Sequence, residues 1–179
     1  MSLGAGSLPE ELFGICYRGD CATVRRLRRE ALEEVASSNS SDLVEASAEA
    51  LRRRECAEDS EKVRAAVVKE YARVLSLDVP PREDVLLLLG GRRGWTFEDL
   101  LIYGGDPVAH KLHEAMMAFY MEYVDGGNVE ELGAAEFAVY VVLTLLQRDR
   151  IDRAKAAEAI GRITDWVLGY EDPVRQRPQ

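Results

Sequence analysis

Apolar positions recur at three- and four-residue spacing along the whole chain, and no two segments alternate with the period of two that a hairpin requires. The pattern predicts an all-α fold, a single-domain multi-helix bundle with a central hydrophobic helix. Residues 1–7 read as a flexible leader, 8–170 as the helical domain and 171–179 as a flexible tail. Ser7 can cap a first short helix that runs to about Tyr17 and stops at Gly19, after which Asp20 caps the next. Val24, Leu27, Ala31 and Val35 form the inner stripe of that second helix, which the polar run Ser37 to Ser41 ends. Asp42 and Glu45 have the spacing of a capping box for a third helix with Leu43, Ser47, Ala50, Leu51 and Arg54 on one side. Continuing that stripe would bury Glu58, so a break is expected near Ala57 to Ser60, with Val63, Val67, Tyr71 and Val74 marking a fourth helix.

Pro80 and Pro81 separate this half from a short apolar segment, Val85 to Leu89, and a glycine-rich loop from Gly90 to Gly94. Thr96 and Asp99 have capping-box spacing for a brief helix that ends at Gly104-Gly105. Asp106-Pro107 starts a helix of about 18 residues that Asp125-Gly126-Gly127 stops. Asn128 and Glu131 open a helix that becomes apolar on every side between Phe137 and Leu146, which places it at the bundle centre. The chain turns around Asp149 to Asp152, and Ala156, Ile160, Ile163, Val167 and Tyr170 line a last amphipathic helix.

Composition narrows the setting. A formal charge of −9 argues against unspecific adhesion to nucleic acid or an anionic membrane. No apolar run approaches the roughly 20 residues of a membrane-spanning helix, so no membrane partner is expected. Met1 to Ser7 lacks the basic and apolar regions of a signal peptide, and three cysteines make no disulfide framework, so a cytoplasmic location is the simplest expectation. Arginine outnumbers lysine 19 to 4 and Asn plus Gln total five, a thermophile-like balance that also fits a GC-rich source.

Three constellations carry candidate chemistry. His110 and His113 lie three residues apart with Glu114 adjacent, on a methionine-rich helix expected to be buried, with the imidazoles half-buried at a helix interface. At 100° per residue, His110, His113, Glu114, Met117 and Met121 share one side, and Val108, Leu112, Ala115, Phe119 and Tyr123 the other. Two imidazoles and a carboxylate so spaced can hold a divalent metal if Glu136 or Asp165 adds a ligand. Neither HExxH nor the paired Glu-x-x-His of di-iron bundles is present, and no cofactor is expected. Cys16 and Cys21 flank the Gly19 turn, where they can form a disulfide or join the histidines around zinc; Cys56 reads as a packed thiol.

The second constellation is Arg25, Arg26, Arg28 and Arg29 early in one helix and Arg52, Arg53 and Arg54 late in the next. An antiparallel pairing of those helices brings the seven arginines to one end, where they can grip phosphate or an acidic partner. The competing expectation is that Arg28 and Arg54 cover core flanks with their stems while the others pair with nearby acids. Arg92 and Arg93, beside Trp95, form a third site for phosphate contact or base stacking, without the GK[ST] ending of a nucleotide-cradling loop. The leading expectation is therefore a non-enzymatic module that binds a protein partner or forms a homo-oligomer. Nucleic-acid or phosphorylated-ligand binding through the arginines and a metal-dependent enzyme built on His-x-x-His-Glu are the alternatives.

Overall fold

The computed structural model describes residues 22–66, 69, 83–125 and 129–170, and no strand occurs among them. The helices are α1 (Ala22–Ser37), α2 (Leu43–Ala57), α3 (Glu83–Leu88), α4 (Phe97–Asp99), α5 (Pro107–Val124), α6 (Val129–Gln147) and α7 (Arg153–Val167). Residues 60–66 are also helical, and a π-helical stretch, Leu100–Gly104, continues directly from α4. The expected leader, first helix, Cys16, Cys21, Val67, Tyr71, Val74, Pro80, Pro81, Asn128 and the tail lie outside the described residues.

Helices α2, α4, α5 and α7 each begin where a side chain satisfies free backbone N–H groups. The Asp42 side chain accepts from the Glu45 N–H, and Asp152 accepts from the Lys155 N–H. Thr96 and Asp99 form the reciprocal box expected of them. Asp106 accepts from Val108 and Ala109, with Pro107 inside the first turn, and α5 is 18 residues long. The π-helical stretch ends at Gly105, whose φ of +68° is a left-handed value at which a side chain is strained. Helix α2 ends at Ala57, and Glu58 in extended conformation interrupts the apolar stripe as the pattern requires.

An all-round apolar helix is stable only when all its sides are covered, and α6 is covered on all of them. Every residue from 132 to 146 is buried. Helix α2 packs on one side of α6 and α7 on another, while α1 lies mainly on α2 and α5 mainly on α7. The stripes Val24, Leu27, Ala31 and Val35 of α1 and Ala156, Ile160 and Ile163 of α7 enter one continuous core. Tyr170, by contrast, lies past the end of α7 and is exposed. The periodicity continues to it, but the helix stops three residues earlier.

One charge pair lies inside this core. Glu136, the acid just before the apolar stretch of α6, accepts from Arg28 Nη1 at 3.1 Å, and Arg28 Nη2 donates to the Gly133 carbonyl at 3.2 Å. Both side chains are buried, so Arg28 does more than cover a flank with its stem. A carboxylate placed among apolar neighbours needs a cation and hydrogen-bond donors nearby, and α1 supplies them.

Gly161, within α7, faces the Lys111 stem of α5. A Cβ there would meet Lys111 Cδ at 3.6 Å, an ordinary contact with a flexible chain. Because glycine costs a helix interior roughly 0.5–1 kcal/mol relative to alanine, Gly161→Ala should stabilise the protein by about that much in urea unfolding. A loss of stability would show that α5 and α7 are too closely seated to accept one methyl group.

Candidate interaction face

Helix α5 meets the core with Val108, Ala109, Leu112, Ala115, Ala118 and Phe119, all buried. Its other side is open. His110, His113 and Glu114 are exposed, and with them Met117 (49%), Tyr120 (52%), Met121 (53%) and Val124 (61%). The expected buried helix with half-buried imidazoles is thus corrected: the division into two sides stands, but only one is covered. Methionine and tyrosine suit core and surface alike, so spacing alone could not say which stripe faces water. Tyr120 and Val124 also belong to the open side. Their signal is a heptad spacing, His110, His113, Met117, Tyr120 and Val124, that repeats the a and d positions of a helix-pairing seam.

Polar contacts on this side are local. Lys111 Nζ donates to Glu114 Oε2 at 3.3 Å, and the His113 ring lies 6.3 Å from that of Phe97. Glu136 is engaged by Arg28 inside the core, while Asp165 is exposed on α7. Among the described residues no group of three or more His, Cys, Asp or Glu side chains is gathered to hold a metal ion. Cys56 is a free, exposed thiol and not the packed one expected; it lies beyond the inner stripe, at the end of α2.

Next to α5, the segment from Arg92 to Tyr103 displays a short stack. Arg92 Cζ lies 5.9 Å from the Trp95 ring centroid, and Trp95 lies 6.0 Å from Tyr103 with ring planes tilted by 55°. Ile102 and Tyr103 are among the most exposed large apolar side chains in the described residues. Arg93 is also exposed. This stack ties the loop to the π-helical stretch while leaving Tyr103 exposed.

The seven arginines do not converge as a bare cationic patch. Helices α1 and α2 are antiparallel, but their register sets arginines of one against acids of the other. Arg26 donates to Glu30 at 3.3 Å and to Glu58, while Arg53 and Arg54 both donate to Glu34. Arg52 is paired with Glu131 of α6, and its guanidinium carbon lies 5.5 Å from the Trp166 ring centroid. Arg28 is in the core. Arg25 is partly buried, its Nε enclosed with no hydrogen-bond partner, and Arg29 is exposed. A hairpin offset by one turn exchanges arginine opposite arginine for arginine opposite glutamate, and the order of charges in each helix does not reveal that offset.

Two carboxylates of this framework ionise more readily than usual. The hydrogen bond from Arg53, helped by Arg54 against partial burial, holds Glu34 below its ordinary 4.5. Burial pushes Asp42 up, but the Arg162 hydrogen bond and the Glu45 N–H outweigh it and keep it below 3.8. For acids with depressed folded values, the stabilisation is complete above the unfolded value and disappears as pH falls through the folded one. The stability difference between wild type and Glu34→Gln should therefore be constant at neutral pH and close below about pH 4.5, which paired urea titrations would measure. A gap that widens with acidification would contradict this assignment.

Compared with known protein families, characterised proteins and solved structures, the chain gives no match.

Proposed function

We propose that this protein works by binding a protein partner through the open side of α5. The observation that carries the reading is the contiguous exposure of Met117, Tyr120, Met121 and Val124 on a helix whose opposite side is fully packed. Apolar side chains scattered singly are ordinary on a surface, but several in register along one helix form the kind of patch that marks a protein contact. Methionine and tyrosine also favour interfaces: the first adapts its shape, and the second adds a large contact area with a polar tip. Reduced availability of the arginines supports a protein partner over a polyanion, since Arg26, Arg52, Arg53 and Arg54 already neutralise acids of the same chain.

A photo-reactive amino acid placed at Tyr120 tests the reading in cells. Adducts of discrete mass, absent when the same group replaces the exposed Glu158 on α7, are expected. Equal labelling from both positions, or none from either, would remove the basis for an interaction face on α5.

A further inference from the structure

From the arrangement of this face we infer that its partner is a second copy of the chain, docked antiparallel so that α5 pairs with α5 about a two-fold axis at Met117. The inference rests on the interaction reading above and specifies the occupant. Its first support is geometric. His110 and Val124 each lie seven residues from Met117, about 20° short of two full turns, so all three share one line along the helix. His113 and Tyr120 share one flank of that line, and Glu114 and Met121 share the other. A two-fold axis perpendicular to α5 and through Met117 keeps each flank opposite itself while reversing its direction. Met117 then meets its own copy, His110 meets Val124, His113 meets the ring of Tyr120, and Glu114 lies at the rim beside Met121. Each exposed residue of the seam finds a counterpart, which is the self-complementarity that an isologous contact demands.

Charge is the second support. The chain carries −9, so two copies repel over most orientations. Along α5, however, Lys111 and Glu114 neutralise one another, and from residue 115 to 124 the only charged residue is Glu122, which is partly buried. Two acidic molecules can approach here without setting like charges against each other. A polyanion would find no unpaired cation on the seam, and a strongly basic partner would find little acid to bind. Helix α5, at 18 residues and about 27 Å, is long enough for four turns of pairing.

Sedimentation equilibrium of the purified full-length chain tests this directly. The wild type is expected as a concentration-dependent monomer–dimer system with the dimer at twice 20.0 kDa. Met117→Glu places two carboxylates at the axis and should weaken association at least tenfold while leaving the helical circular dichroism unchanged; Tyr120→Glu is the second variant should the first fold poorly. The register has its own measurement. His113→Glu and Tyr120→Lys should each weaken self-association, yet an equimolar mixture of the two should pair about tenfold more tightly than either alone. A wild type that remains monomeric at several hundred micromolar overturns the inference. So does a dimer indifferent to Met117→Glu and Tyr120→Glu, or a mixture with no preference for the mixed pair. The interaction reading fails separately: a monomeric wild type with discrete heterologous adducts from position 120 removes only the second copy, whereas a monomer without such adducts removes both.

Discussion

Replacing Glu136 by alanine is expected to lower the stability of the protein by about 3–5 kcal/mol, because it leaves the Arg28 guanidinium charged and unpaired in the core. Arg28 donates to Glu136 at 3.1 Å and to the Gly133 carbonyl at 3.2 Å, and the second bond alone cannot balance the charge. Arg28→Met should also destabilise the protein, because it removes the 3.1 Å charge-assisted hydrogen bond to the buried carboxylate. The double variant Arg28→Met with Glu136→Leu should recover most of the loss, since apolar residues of similar volume often replace a buried ion pair without penalty. Urea unfolding of the four proteins closes the cycle and yields the coupling between the two side chains. Additive losses would mean that the two side chains do not act as a unit.

The second large effect concerns the middle of α6. Val142 is completely buried, with Val139, Leu143 and Leu146 of its own helix in the same core. Val142→Asp places a carboxylate there with no cation provided for it, in contrast to Glu136. The side chain must either remain protonated or draw water into the core, and both routes cost several kcal/mol against a total stability of about 5–15 kcal/mol. The variant is expected to be unfolded or to melt well below wild type by circular dichroism. Val142→Ala, which removes volume without adding charge, should remain folded at a modest loss. A folded Val142→Asp with a wild-type melting temperature would show that α6 is not the centre of the bundle.

The two variants also explain why the central helix was legible and its ion pair was not. An apolar run from Phe137 to Leu146 can be covered only from all sides, so its central position follows from the residues themselves. Glu136 sits at the edge of that run and is compatible with a water-facing turn, a metal ligand or a buried pair. Arg28, more than 100 residues earlier in the chain, shows no local sign of being its partner. The signal was an acid with apolar neighbours at every helical spacing, and it indicates a need for compensation without naming the source.

Local information was sufficient for the all-α class, for the capped starts at Asp42, Thr96 and Asp106, for the interruption after Ala57 and for the 18-residue length of α5. These features depend on hydrogen bonds and side chains within about four residues, a range the sequence lays out directly. Three matters were settled only by the tertiary structure: which side of α5 is covered, the offset of the α1–α2 hairpin and the partner of Glu136. Each depends on how far one helix slides or rotates against another, and shifts of a single turn conserve the apolar pattern while exchanging every polar neighbour. The offset set Arg53 and Arg54 on Glu34 instead of beside the arginines of α1. Packing α5 on α7 through its alanine-rich stripe left the methionine and histidine side open. Helical periodicity determines which residues share a face, whereas coverage of that face is decided by the neighbours the whole chain brings to it.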